Sequence, residues 1–122
     1  MNLDEFSNLA NSRSPKDDVE LIAKNKLAEI HAYLTRLADE SHKKYPNTLD
    51  TLAVDSNAVG KNIGITLAKK RLSYDYDNKI ISVHFNGKVL EEYSFNGSEM
   101  VSSKTGMPLT TQSVDEHLNY FK

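Results

Sequence analysis

Between Tyr74 and Val101 the chain reads YDYDNKIISVHFNGKVLEEYSFNGSEMV, with the turn-forming dipeptides Asp77-Asn78, Asn86-Gly87 and Asn96-Gly97 spaced nine or ten residues apart. Pairs of this kind adopt the left-handed backbone that tight hairpins need, so repetition at strand-length intervals predicts an antiparallel meander. Apolar positions choose the registers, because a slip of one residue moves every side chain of a strand to the opposite face. A two-residue loop at Asp77-Asn78 pairs Tyr74 with Ile81 and Leu72 with Val83. At Asn86-Gly87 a two-residue loop would scatter the apolar set, whereas a three-residue loop through Lys88 places Val89, Tyr93 and Phe95 beside Ile81, Val83 and Phe85. The burial pattern favours the longer loop. A two-residue loop at Asn96-Gly97 adds Met100. Four strands result, about 71–76, 79–85, 89–95 and 98–102, with Leu72, Tyr74, Tyr76, Ile81, Val83, Phe85, Val89, Tyr93, Phe95 and Met100 on one face. In this register Glu91 falls on the apolar side, an inconsistency that an edge or a bulge would remove.

An apolar sheet face needs a roof. At about 100° per residue, Val19, Ile22, Ala23, Leu27, Ile30, Tyr33, Leu34, Leu37, Ala38, Ser41 and Tyr45 fall within a band of roughly 160°. This stripe predicts one long helix over 15–45. Ser14 is placed as its N-cap, Pro15 as its first residue and Asp17 near its positive end, and Pro46 forces its stop. Leu3, Phe6, Leu9 and Ala10 suggest an N-terminal hook over 1–13. Residues 46–70 read as an irregular or helical connection, since Val59, Ile63 and Leu67 share a helical face, although IGITLAKKR is also compatible with a prolonged first strand. The meander occupies 71–102. Ser113 and Glu116 have capping-box spacing, opening a helix over 113–121 with Val114, Leu118 and Phe121 on one side. The expected fold class is α+β: a long N-terminal helix packed on one face of a four-stranded antiparallel β-meander, with short helices at the termini, in a single domain 1–122.

Fifteen Lys and Arg oppose seventeen Asp and Glu, so no global field draws the chain to nucleic acid or to an acidic membrane. The absence of cysteine excludes disulfides, thiolate metal ligands and a Cys nucleophile. With no basic start leading into an apolar run, the expectation is a cytoplasmic protein without membrane contact.

The four histidines, His31, His42, His84 and His117, show no metal spacing, and no phosphate-binding or nucleophile-elbow motif is present. No catalytic, metal or cofactor site is therefore predicted. The favoured function is a non-enzymatic protein-interaction module, of adaptor, chaperone or inhibitor type. It would use the outer sheet face around Ile80, His84, Leu90 and Val101 or an exposed sheet edge, with a homodimer through either as one form. The alternative is nucleic-acid binding through Lys43, Lys44, Lys69, Lys70 and Arg71. The order of helix, antiparallel sheet and helix is similar to that of double-stranded RNA-binding domains, but the terminal SVDEHLNYFK is acidic where those domains carry lysines. A third reading is a small-ligand binder or enzyme using His84 and the tyrosines.

Overall fold

A computed structural model describes residues 2–13 and 18–122, and it has an α+β fold in which a long helix meets an antiparallel sheet. Helix α1 spans Leu3–Arg13 and α2 spans Asp18–Lys44. A 3-10 turn, Pro46–Asp50, leads into strands β1 Leu52–Ser56, β2 Asn62–Leu67, β3 Lys70–Asp77, β4 Ile80–Phe85, β5 Lys88–Phe95 and β6 Met100–Ser102, followed by α3 Thr111–Leu118. Ser14, Pro15 and Asp17, expected at the helix start, lie outside the described residues.

The long helix ends as expected. Tyr45 leaves helical geometry at φ −132° and ψ 84° directly before Pro46, as a residue preceding proline must. His42, Lys43 and Lys44 occupy the last turn, where cations meet the negative helix end. Ala23, Leu27, Ile30, Leu34 and Ala38 form its buried stripe. Leu3 and Phe6 are 78% and 61% exposed, so these two residues do not dock on the core as the hook required.

The sheet has six strands in simple sequence order, not four. The extra hairpin, β1 and β2, comes from the region expected to be helical. Ile63 and Leu67 are four residues apart, a spacing that satisfies both helical and strand periods, and Ile65 between them makes the strand pattern. The β2–β3 turn carries no Asn or Gly. It is Ala68-Lys69, with both residues at positive φ, 50° and 74°, which is uncommon for residues with a Cβ.

The meander keeps the expected faces except at the β4–β5 bulge, while all three of its loops differ from expectation. The first loop is Asn78-Lys79, both at positive φ, so Tyr76 opposes Ile81 and Tyr74 opposes Val83. This differs by two residues from the expected register and therefore leaves the same side chains inward. At the second turn Phe85 opposes Lys88 across a two-residue Asn86-Gly87 loop, and a bulge beside Val83 and His84 then restores Ile81 opposite Tyr93. Turn chemistry and burial are both satisfied, because the extra residue is accommodated within the strand instead of the loop. Val89 consequently lies outward, opposite His84 and 49% exposed, which corrects its expected core position. The last loop runs through residues 96–99 and not through Asn96-Gly97 alone, so Phe95 opposes Met100, a shift of two residues that still leaves Met100 inward.

Two helices roof the inner face. Helix α2 packs mainly against β1 and β2. Helix α3 and the 3-10 turn after it cover the central strands, where Phe121 meets Phe85 edge-on at 5.1 Å. The α3 cap is formed by Thr110 and Ser113, whose side chains each serve the other's backbone amide. It lies three residues before the expected Ser113 and Glu116 pair. A Tyr33 hydroxyl bond to Asp115, 2.5 Å, ties α2 to α3.

Replacing Ala68-Lys69 by Asn-Gly relieves left-handed strain at two exposed positions, and urea denaturation should show a gain of about 1–2 kcal/mol. Leu27→Ala, in the fully buried stripe, should lose about 2–5 kcal/mol in the same measurement.

Candidate functional site

Two polar constellations stand out, one on each face of the sheet. The outer one begins with a glycine. Gly64 faces outward on β2, and a Cβ there would meet the Arg71 guanidinium at 2.5–2.8 Å. The missing side chain lets Arg71 lie across the strand, where its Nη2 donates to Asp55 Oδ1 at 2.5 Å and to Asn62 Oδ1 at 3.1 Å. Asn62 in turn donates to Asp75. Ser73 lies opposite both Gly64 and His84 in the ladder. Asn62, Arg71, Ser73, Asp75, His84 and Gly87 line an open hollow of about 250 Å³.

The expected contact residues separate in this arrangement. Ile80, Ser94 and Val101 form one line across β4, β5 and β6, and both apolar members are half-buried on the outer side. His84 sits at the hollow, opposite Val89 and not opposite Leu90 as expected. Leu90 has no cross-strand partner at the bulge and packs against the core, which reduces what it can offer to a partner.

The basic set also divides. Lys43 and Lys44 end α2, and Lys69 and Lys70 lie at the β2–β3 turn. Two contacts bring these regions to one end of the molecule: His42 reaches the Leu52 carbonyl at 2.8 Å, and the Ala68 amide reaches Thr51. Arg71 does not join them, because its charge is directed to Asp55 on the outer face.

The inner constellation was missed by sequence reasoning. Glu91 points inward, and its Oε2 accepts from the Tyr93 hydroxyl at 2.8 Å and from His117 Nε2 at 3.0 Å, while Oε1 accepts from Ser102 at 2.6 Å. His117 Nδ1 lies 2.8 Å from the Tyr74 hydroxyl. A carboxylate only accepts, so His117 Nε2 carries a proton and donates to Glu91. Burial pushes the Tyr74 and Tyr93 hydroxyls upward, keeping both protonated as donors. Burial also acts to raise Glu91, but the bonds from His117, Ser102 and Tyr93 outweigh it and hold the carboxyl below its ordinary value. The chain of Tyr74, His117 and Glu91 has the order of a base with its orienting acid. Yet Tyr74 is fully buried, and no substrate atom reaches its hydroxyl in this conformation. The signals were present in the sequence: Glu91 fell on the apolar face, and His117 lies between Val114 and Phe121 on the α3 stripe.

Among the described residues no group of three or more His, Asp or Glu could hold a metal ion, and no helix is long and apolar enough to cross a membrane. Comparison with family models, curated proteins and solved structures finds no match to this chain.

A lowered Glu91 value makes the unfolded chain the better proton binder in acid, so its stabilising contribution is complete above about pH 5 and disappears as pH falls through the folded value. Glu91→Gln should therefore flatten the acid limb of a stability–pH curve measured by urea unfolding. His117→Ala, which leaves Tyr74 and Glu91 without their shared partner, should cost roughly 3 kcal/mol at pH 7.

Proposed function

We propose that the protein is a small interaction module that binds a protein partner through the uncovered face of its sheet. The observation that carries this reading is the unequal treatment of the two faces. Both packed helices lie over the inner face, while the outer face presents Val89 opposite His84 at the hollow of Arg71 and Ser73, and Ile80 and Val101 further along on the same face. Apolar contacts beside fixed polar groups are what a recognition surface needs, the first for affinity and the second for orientation.

The inner cluster supports the same reading. Its imidazole, carboxylate and phenols satisfy one another beneath α3, so they act as a fastening between helix and sheet. Nucleic-acid binding through the lysines is less well supported, because Arg71 is withdrawn from the set by Asp55 and only the four lysines share one end.

The test is capture from the native host with Ile80→Asp/Val101→Asp beside Lys69→Ala/Lys70→Ala. A specific protein lost with the first variant and retained with the second is the expected result. Binding of mixed RNA or DNA that persists at ~150 mM salt and disappears with the lysine variant would transfer the function to the basic end.

A further inference from the structure

The bond between Tyr33 and Asp115 ties the two roofing helices together, but one turn further along each the space between them is not filled. Leu37 and Ser41 of α2, Ile65 and Leu67 of β2, Leu118 of α3 and Phe121 of the 3-10 turn after it line a cavity of about 290 Å³ there. Leu67 ends its strand and is 36% exposed, so the cavity reaches solvent at that end of the sheet. Apart from Ser41 every lining side chain is apolar, and among the described residues the Ser41 hydroxyl has no hydrogen-bond partner. A buried water needs roughly two to four polar partners and would find one here, so the space suits an apolar chain. At ~30 Å³ for each group the size of a water molecule, it holds a chain of about eight to ten carbons.

The mouth of the cavity carries cations. Lys70 lies directly opposite Leu67 in the ladder, and residues paired in this way project from the same face, which puts Lys70 on the inner side beside the opening. Lys44 follows Ser41 by three residues and Leu37 by seven, so it continues the lining face of α2 one turn toward solvent. Both lysines are exposed, and among the described residues neither forms an ion pair; the Lys44 ammonium rests 5.5 Å from the centre of the Tyr45 ring. Asp39 and Glu40, the nearest acids on α2, line a separate hollow with Lys43 on the back of that helix. Asp50, next to Thr51, offsets part of the positive charge.

We propose that this cavity binds a free medium-chain fatty-acid anion. The chain lies between the helices against Leu37, Ile65, Leu118 and Phe121, and the carboxylate accepts from the Ser41 hydroxyl and from Lys70, with Lys44 turning to it from the Tyr45 ring. An apolar space with an unused hydroxyl and two unpaired cations at its opening matches an anionic head on an apolar tail. Its volume admits one chain and not the two of a membrane phospholipid. The site lies on the covered side of the sheet and goes beyond the outer-face reading, since it shares no residue with it.

The experiment is an NMR titration of the isotope-labelled full chain with decanoate below its micellar concentration, beside decyltrimethylammonium, which has the same chain and the opposite charge. The expected result is a saturable shift of the Leu37, Ile65, Leu67 and Leu118 methyl groups at millimolar decanoate, with the cation bound about tenfold more weakly. Lys44→Glu/Lys70→Glu, at two exposed positions, should weaken decanoate binding by about tenfold, as the loss of two surface ion pairs would. Ser41→Leu fills the cavity from its mouth and should abolish binding while the amide spectrum stays that of the native fold; if that variant unfolds, the lysine pair still decides. Decanoate that leaves these methyl groups unmoved would overturn the inference. So would equal affinity for the two probes, or binding that the charge reversals leave unchanged.

Discussion

Burial of one face of the sheet beneath two helices is the constraint from which the rest of this structure follows. Leu27, Ile30 and Leu34 from α2 share one apolar cluster with Ile63, Ile65, Leu72, Tyr74, Ile81, Val83, Tyr93 and Met100 from five strands. Neither layer could remain in water alone, and their mutual burial outweighs local preferences wherever the two conflict. It retains a two-residue turn without Asn or Gly at Ala68-Lys69, and it takes up an extra residue at the β4–β5 bulge so that Tyr93 and Phe95 still point inward.

The same constraint explains the polar centre. Glu91 follows the inward parity of Tyr93 and Phe95, so a carboxylate arrives in a place where burial opposes its charge. Its charge survives because α3 brings His117 and the sheet brings Ser102 and Tyr93, each donating a hydrogen bond. The buried polar groups are satisfied as a network, and among the described residues no buried side-chain nitrogen or oxygen lacks a partner. A cluster with the residue types of an active site thereby links α3 to the sheet by hydrogen bonds.

The legible parts of the sequence were those where burial periodicity was clear. The α2 stripe and its stop at Pro46 could be read because periodicity and proline pointed the same way, and the inward set of the meander, apart from Val89, because burial periodicity was followed even where turn chemistry disagreed with it. The β1–β2 hairpin could not, since Ile63 and Leu67 fit both periods and the following turn lacked its usual residues. Gly64 has a physical role that only the fold reveals: it clears space for the Arg71 guanidinium. For the candidate site, Ile80, His84 and Val101 could be placed outward from alternation alone, whereas the position of Leu90 depended on the bulge. The convergence of Asn62, Arg71 and Asp75 required the unseen hairpin.

The sealing of β6, where the Ser102 amide donates to the Met107 carbonyl, the Leu109 amide donates to the Met100 carbonyl and Val101 bridges Pro108, also limits how far lateral growth can go. A sheet with two open sides can recruit neighbours indefinitely and extend into a fibre, whereas a sheet with one blocked side has a single valence. The short segment after β6 thus leaves at most one side of the sheet open to strand addition.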